Sequence, residues 1–203
     1  MPWRLTLVRC GRPLHPGARA CAPSGAPTRH NDPVDHSFDL TIPPAAVHAD
    51  LISEDFLRAF ATEVGVEIDE LTCHTTGERA AAAMQWRFST SKPGIPELAR
   101  KLLPGEVRLS WAQEWSPLAD EGAEGSLEVQ LLGTPKAPSL GTARLQATAD
   151  GSTLTTSTST KAALPFPLAG SVQSKIDKDL VGWILSVQAR VLTRRHSGEP
   201  AAD

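Results

Sequence analysis

Residues 168–195 read LAGSVQSKIDKDLVGWILSVQARVLTRR, and this segment determines the predicted architecture of the whole chain. Its apolar residues recur every three or four positions, as they do on one face of an α-helix. They are Leu168, Val172, Ile176, Leu180, Trp183, Ile184, Val187 and Val191. Most of the lysines and arginines of the segment fall on the opposite side. The segment therefore predicts a long amphipathic helix whose apolar face packs against another layer.

The helix is predicted to begin just after two prolines. Pro165 and Pro167 end the preceding strand, because proline cannot donate to a β-ladder and restricts the residue before it. From Leu168 to Arg195 the helix would be about 40 Å long at roughly 1.5 Å per residue, enough to cross a small sheet. Gly182 costs this helix about 1 kcal/mol relative to alanine. Close packing of a neighbouring element and a slight bend are two reasons for it, but a helix glycine more often has no such role.

The composition bounds the class of protein. The chain has 203 residues, 40% of them hydrophobic, and a formal net charge of -3, so one domain with a sizeable core is expected. The charge balance predicts no nucleic-acid partner, and the apolar runs are too short for stable membrane insertion. The three cysteines form no C-x-x-C pair, which favours a reducing, cytoplasmic location over a disulfide framework or a zinc cluster.

The ends of the chain differ in composition from its middle. Residues 1–35 contain six prolines and three glycines and show no hydrophobic period, so they are predicted to be a disordered or non-native extension. A transit peptide is the weaker interpretation, because the prolines interrupt an amphipathic helix. The polar residues 196–203 are predicted to be a disordered C-terminus. The folded domain is therefore expected to span 36–195.

The first part of this domain predicts one strand and two short helices. Alternating apolar residues indicate a strand from His36 to Ile42, and two prolines then end it. Short helices are predicted over Ala45–Ile52 and Ser53–Val64. Ser53 is the expected N-cap of the second helix, and Gly65 its expected C-terminal stop.

The rest of the domain predicts an antiparallel meander. Strands are expected over Val66–Thr75, Ala80–Thr90, Glu106–Trp115, the region of Leu127 to Leu131, Leu140–Ala149 and Leu154–Leu164. Lys92–Gly105 interrupts the meander and is expected to contain a short helix. Asp150-Gly151 is a strong hairpin signal. The order of elements predicts an α+β fold, in which a curved seven-stranded antiparallel sheet wraps around the long C-terminal helix.

Several motifs give the sequence a family resemblance. They are His36-Ser37-Phe38, Pro43-Pro44-Ala45-Ala46-Val47, the insertion from Ile95-Pro96 to Gly105, Glu114-Trp115, Gly133-Thr134-Pro135, and the residues from Leu164 to Gly170. With these motifs the domain resembles the helix-grip proteins of the START, birch-pollen-allergen and polyketide-cyclase superfamily (SRPBCC). It is most similar to a bacterial branch of that superfamily, the domain-of-unknown-function family numbered 2505. The resemblance implies binding of an apolar molecule, such as a lipid, a sterol or a polyketide, in a cavity under the helix.

The predicted site is the lining of that cavity. It consists of apolar residues on the inner strand faces and on the helix: Met84, Trp86, Phe88, Leu109, Trp111, Trp115, Leu127, Val129, Ile176, Leu180, Trp183 and Val187. No catalytic set, metal site, phosphate loop or cofactor motif is recognised, so no cofactor is expected. His36, His48 and His74 lie on different elements, which favours surface or capping roles. Arg87 and Glu114 are expected to form an ion pair on the outer face, or one of them an anchor inside the cavity.

Three functions remain open at this point. The first is a module, not an enzyme, that binds or carries a small hydrophobic ligand between sheet and helix. The second is a cyclase or dehydratase acting on a polyketide-like substrate, which requires at least one titratable side chain on the inner face. The third is a structural or interaction domain whose core has collapsed around the same residues.

Overall fold

The computed structural model describes residues 33–91, 97, 105–132, 138–161 and 176–197. Within these ranges the chain forms one curved, seven-stranded antiparallel sheet, two short helices after the first strand, and a long C-terminal helix. The strands are β1 (Val34–Leu40), β2 (Glu67–Thr76), β3 (Arg79–Ser89), β4 (Glu106–Trp115), β5 (Gly122–Leu132), β6 (Pro138–Thr148) and β7 (Gly151–Thr160). The helices are α1 (Pro44–Leu51), α2 (Glu54–Val64) and α3 (Gly182–Ser197). This architecture confirms the predicted helix-grip fold.

Strands β2 to β7 form a meander in which each strand pairs with the next, and β1 lies at one edge of the sheet beside β7. The order across the sheet is β1-β7-β6-β5-β4-β3-β2, with every pair antiparallel. The hairpin predicted at Asp150-Gly151 joins β6 to β7, with Thr148 paired to Gly151. Because β1 and β2 are the two edges, α1 and α2 connect opposite edges of the sheet.

The cap signals of α2 are confirmed. The side chain of Ser53 accepts a hydrogen bond from the backbone N–H of Phe56 at 3.2 Å, which satisfies one of the unpaired donors at the start of the helix. Gly65 ends the helix with φ 74°, a left-handed conformation that glycine adopts without steric cost. These caps fix where the buried face of α2 begins and ends.

Some strand limits differ from the prediction. β1 begins and ends two residues before the predicted His36–Ile42, because its ladder with β7 runs from Val34 to Leu40. β5 begins at Gly122, since its ladders with β4 and β6 extend well before the apolar residues that revealed it. β7 begins at Gly151 instead of Leu154, directly at the hairpin. In each case cross-strand pairing, and not the apolar pattern, sets the limit.

Other predictions lie outside the described residues. They concern residues 1–32 of the predicted extension, most of Lys92–Gly105, the Gly133-Thr134-Pro135 turn, and residues 162–175 and 198–203.

The C-terminal helix begins, in the described residues, with a π-helical turn. The turn spans Ile176–Val181 and continues directly into α3, which ends two residues after the predicted Arg195. A π turn is wider than an α turn, so it rotates the residues around it relative to a regular 3.6-residue pattern. Consequently the polar Asp177 and Gln188 are buried, whereas Ile176 and Trp183, both expected on the apolar face, are half-buried.

Charged side chains hold the end of α3 against the first two helices. Arg194 donates two hydrogen bonds to Glu63 of α2, at 2.8 and 3.3 Å. Arg195 and His196 both contact the carboxylate of Asp50 in α1, at 3.3 and 2.9 Å. α3 itself contacts α2 and β1. In the part of the chain that the structure describes, no helix combines the length and apolarity that crossing a membrane requires.

Candidate functional site

The inner face of the sheet is the candidate site. Nearly all the residues predicted to line the cavity lie there or on the helix and are buried: Met84, Trp86, Phe88, Leu109, Trp111, Trp115, Leu127, Val129, Leu180 and Val187. Ile176 and Trp183 pack against the same hydrophobic cluster but are half-buried. The structure therefore brings the predicted residues together in one interior.

The centre of this interior is an aromatic cluster. Trp86 on β3 and Trp111 on β4 have ring centroids 6.2 Å apart. Phe60 of α2 contacts both, with centroid distances of 5.5 Å to Trp86 and 5.8 Å to Trp111. Tilted and edge-on arrangements at these separations are the favoured geometries of aromatic pairs. α2 thus covers the wall that these two tryptophans form, which strand alternation alone did not indicate.

Trp115 lies further along β4, beside the first helix. The His48 ring meets it edge-on at a centroid distance of 6.2 Å, and the same imidazole contacts the carbonyl oxygen of Ser116 at 3.0 Å. Gly125 on β5 leaves room for the indole, because a Cβ there would lie 2.9 Å from two of its ring carbons. His48 therefore has a structural contact, as the prediction of a capping role favoured.

Five buried polar atoms on the inner face have no hydrogen-bond partner among the described residues. They are the indole nitrogens of Trp86, Trp111 and Trp115, Nε2 of His36, and the hydroxyl oxygen of Thr158. A buried donor without an acceptor costs about 1 to 3 kcal/mol. A contact between an indole N–H and a neighbouring ring is weaker and offsets only part of that cost.

The β7 side of the interior is polar, in contrast to the tryptophan side. Ser152, Thr156, Thr158 and Thr160 alternate along the inner face of β7, and all are buried. The sequence showed this strand to be rich in threonine, but no apolar period assigned its threonines to a face. The interior therefore combines an aromatic wall on β3 and β4 with a row of hydroxyl groups on β7.

A buried carboxylate fixes the π turn to the end of this hydroxyl row. Asp177 accepts hydrogen bonds from the backbone N–H and the hydroxyl of Thr160, at 2.7 and 2.6 Å. The Thr160 hydroxyl also contacts the hydroxyl of Ser139 on β6. Because hydrogen bonds to a carboxylate are stronger than neutral ones, this network positions the start of the helix over β7. The helical period alone does not identify Asp177 as a buried residue.

His36 faces the helix from the inner side of β1. A Cβ added to Gly182 would lie 2.7 Å from Cε1 of His36 and 3.1 Å from its Nδ1. Gly182, at the junction of the π turn and α3, thus allows the helix to approach the imidazole closely. Close packing of a neighbour was one of the reasons considered for this glycine.

The two charged residues considered as cavity anchors lie on the outer face, but they do not pair with each other. Arg87 contacts Asp69 at 2.7 Å, and Arg79 contacts Glu114 at 3.0 Å. The predicted Arg87–Glu114 pair is therefore wrong, because the antiparallel register sets Arg87 opposite Arg108, far along β4 from Glu114. Neither side chain contributes charge to the interior.

The remaining titratable groups of the described residues give no second site. Cys73 lies on the edge strand β2, where partial burial of the sulfur and the nearby Glu54 carboxylate raise the pKa of the thiol. A raised pKa lowers the thiolate fraction, the opposite of what a nucleophilic cysteine needs. Within the described ranges, no three His, Cys, Asp or Glu side chains approach closely enough to bind a metal ion together.

The outer face of the sheet carries two shallow depressions. One, of about 430 Å³, lies over β5 to β7 and includes Arg144 and Thr155. The other, of about 370 Å³, lies over β4 to β6 and includes Glu128 and Leu140, whose side chain is 47% exposed. Both include charged side chains, unlike the apolar interior.

The similarities to known proteins indicate a family and a fold but no function. The model of the family described as "Protein of unknown function (DUF2505)" matches residues 35–192. A putative uncharacterized protein from Rhizobium leguminosarum is 11% identical, with a TM-score of 0.51; the match covers 80% of this chain and 94% of that one. A protein from Rhodobacter sphaeroides is 11% identical, with a TM-score of 0.50 and coverage of 86% and 97%.

A third solved structure also matches most of this chain. Ara h 8.0201 is 11% identical, with a TM-score of 0.47 and coverage of 79% of this chain and 97% of that one. None of the curated proteins compared with the chain matches it. The likeness to the Rhizobium and Rhodobacter proteins establishes a shared fold only, so the function has to be argued from the interior of this chain.

Proposed function

The chain belongs to the family described as "Protein of unknown function (DUF2505)", and on that premise we propose that it binds a small hydrophobic ligand. The ligand lies between the inner face of the sheet and the C-terminal helix. Lipids, sterols and polyketide-like molecules are the ligand classes that the superfamily resemblance implies.

The observation that carries this proposal is the set of unpartnered polar atoms on the inner face. The indole N–H groups of Trp86, Trp111 and Trp115 alone cost about 3 to 9 kcal/mol, at 1 to 3 kcal/mol each. The net stability of a domain is about 5 to 15 kcal/mol, so these three groups are a large cost for a core that only packs. A ligand that carries acceptor atoms along an apolar body recovers part of this cost on binding.

The apolar surroundings support the same proposal. Binding sites for small molecules are mostly lined by hydrophobic and aromatic side chains, with a few polar groups that set orientation. The inner face has that composition: the tryptophans and Met84 on one side and the hydroxyl row of β7 on the other. The outer face, with its exposed ion pairs, lacks it.

Displacement of a fluorescent apolar probe tests the proposal. The purified chain is titrated with 1-aminoanthracene, and fatty acids, sterols and aromatic polyketides then compete with the probe. Native mass spectrometry of the same preparation identifies molecules that co-purify. We expect saturable probe binding and displacement by at least one ligand class, whereas no displacement across the whole panel and no co-purifying molecule would contradict the proposal.

A matched variant separates the interior from the outer depressions. Leu140→Asp changes only the outer face, where this leucine is the exposed large hydrophobic residue of the described chain. Its probe affinity should stay within about twofold of the wild type. Loss of binding in this variant would place the probe on the outer face and contradict the proposed site.

An enzyme of the cyclase or dehydratase type is the second candidate. The observation that favours it is His36, a titratable side chain whose Nε2 is buried on the inner face without a partner. A base or acid in such a position can move a proton to or from a bound substrate. If this candidate holds, His36→Phe abolishes turnover of a polyketide-like substrate while leaving its binding in place. If His36→Phe retains both turnover and substrate binding, the enzyme candidate is excluded.

The third candidate, a domain with a collapsed core, makes the opposite prediction in the probe experiment. The cover that Phe60 provides over Trp86 and Trp111 favours it locally. A collapsed core binds no probe with saturation, so the titration distinguishes the two.

A further inference from the structure

Two of the unpartnered polar atoms belong to residues that are close in the ladder between β1 and β7. In the ladder between these strands His36 is directly opposite Thr156, and Thr158 is opposite Val34. His36 and Thr158 are therefore diagonal neighbours on one face, with their Cα atoms roughly 7 to 8 Å apart. A single atom between two side chains at this separation is within reach of both.

The hydroxyl of Thr158 is positioned by its methyl group. Thr158 is 1% exposed, and a Cβ added to Gly141 on β6 would lie 3.0 Å from its Cγ2. The methyl group thus occupies the space beside Gly141, and the hydroxyl occupies another branch of Cβ. Its oxygen is buried without a partner. Other inner-face hydroxyls of β7 do have partners: Ser152 donates to the carbonyl of Ile42, and Thr160 donates to Asp177.

The imidazole of His36 is positioned by the helix. Its Cε1–Nδ1 edge lies against Gly182, so a larger residue in the helix would displace the ring. Nε2 is the ring nitrogen that is buried without a partner. The Asp177 carboxylate contacts the end of β7, and both of its oxygens accept hydrogen bonds from Thr160. Nε2 of His36 and the hydroxyl of Thr158 are therefore the two polar groups at this edge without a hydrogen-bond partner among the described residues.

The geometry points to a polar recognition subsite in which His36 and Thr158 together bind one oxygen atom at the end of a hydrophobic ligand. This inference rests on the proposed function and specifies its ligand class: an amphipathic molecule with a hydroxyl or carbonyl group at one end and an apolar body directed towards Trp111. A hydroxyl oxygen accepts from one partner and donates to the other. A carbonyl oxygen accepts from both, with Nε2 in its protonated tautomer.

The chemistry of the pair selects oxygen over other ligand atoms. One histidine and one threonine do not make up a metal site, which needs three or more ligands. An anionic group would bring a full charge into the interior, which costs far more than burying a neutral group. A neutral oxygen satisfies both side chains without burying a charge.

Three matched probes test the subsite: naphthalene, 2-naphthol and 2-acetylnaphthalene. They share an apolar body and differ in having no oxygen, a hydroxyl or a carbonyl. The dissociation constant of each is measured by fluorescence for the wild type, Thr158→Val and His36→Phe. Valine keeps the shape of threonine and removes only the hydroxyl, so the ratio of oxygenated to oxygen-free affinity isolates the hydrogen bond.

We expect Thr158→Val to lower the relative affinity for at least one oxygenated probe by about two- to tenfold, the value of one hydrogen bond. Its affinity for naphthalene should be unchanged or higher, which also shows that the variant is folded. His36→Phe should lower the same ratio. Thr155→Val removes a hydroxyl on the outer face of the same strand, where it contacts Ser37, and should leave the ratio unchanged.

The outcomes separate this inference from the proposed function. If all three probes bind and the affinity ratio is the same in the wild type and in Thr158→Val, the subsite is contradicted while ligand binding stands. If no probe binds any variant and the broader panel also fails, the proposed function itself is contradicted. Loss of the ratio in Thr155→Val as well would attribute the effect to strand β7 in general and overturn the subsite.

Discussion

Thr158→Val is expected to stabilise the ligand-free protein, although most core substitutions destabilise. Thr158 is 1% exposed and its hydroxyl has no partner among the described residues. Valine has nearly the same volume and suits a strand equally well, so the substitution removes a buried, unsatisfied hydroxyl without opening a cavity. The recovered desolvation cost is about 1 to 2 kcal/mol, within the 1 to 3 kcal/mol range for such groups.

Thr160→Val is the control, two residues along the same face of the same strand. The Thr160 hydroxyl donates to the Asp177 carboxylate at 2.6 Å, so its removal takes a hydrogen bond from a buried charge. Bonds to charged groups contribute about 1.5 to 3 kcal/mol, and this variant should be destabilised by that amount. The same chemical change therefore has opposite signs at the two positions.

Urea unfolding followed by circular dichroism measures both variants. The midpoint should rise for Thr158→Val and fall for Thr160→Val, with unchanged slopes. In thermal unfolding, 1 to 2 kcal/mol corresponds to an increase of roughly 2 to 8 °C for a domain of this size. Destabilisation of Thr158→Val by 1 kcal/mol or more would show that its hydroxyl has a partner, which would refute the reasoning for this position.

Four further substitutions test other contacts of the fold and the site. Gly182→Ala should destabilise by about 1 kcal/mol or more despite its better helix propensity, because its Cβ would press on the His36 ring; in a His36→Ala background the same substitution should stabilise. Trp111→Ala should cost about 3 to 5 kcal/mol, and the half-buried Trp183→Ala clearly less, so equal losses in urea unfolding would contradict the observed burial. Ser53→Ala should cost about 1 kcal/mol through loss of the N-cap, and no change in its urea midpoint would mean that the cap contributes nothing.

The fold was predictable because its signals are local and repeated. Alternation of Val107, Leu109 and Trp111 marked β4 at its observed limits, and the caps at Ser53 and Gly65 marked α2. Once one-sided strands and a single long apolar helix face are expected in the same chain, few arrangements bury both. The tryptophan wall of the candidate site followed from the same alternation.

The polar half of the site was not predictable in the same way. Thr156, Thr158 and Thr160 alternate with other hydroxyl residues, so no hydrophobic period distinguishes their inner face. A regular helical period does not predict a buried Asp177, whereas the π turn rotates it inward to Thr160. Pairing partners and turn geometry determine these positions, and neither is encoded in the spacing of apolar residues.

The ion pairs show the same limit for charged residues. The strand period predicts the face of the sheet on which a side chain lies. Arg87 and Glu114 do lie on the outer face, as one of the two predictions stated. The strand period does not predict their ion-pair partners, because the partner of a strand residue depends on register. Arg87 binds Asp69 across the β2–β3 ladder, next to an irregularity in its register that sequence spacing does not reveal.

A hydrophobic ligand that occupies the interior would give partners to its buried polar atoms. The most direct measurement is a ¹H–¹⁵N NMR titration of the tryptophan indole groups with a ligand identified by probe displacement, using single Trp→Phe variants for assignment. We expect the Nε1–H signals of Trp86, Trp111 and Trp115 to shift with saturation at a single dissociation constant, with Leu140→Asp behaving like the wild type. Saturable binding that leaves all three indole signals unchanged would contradict it.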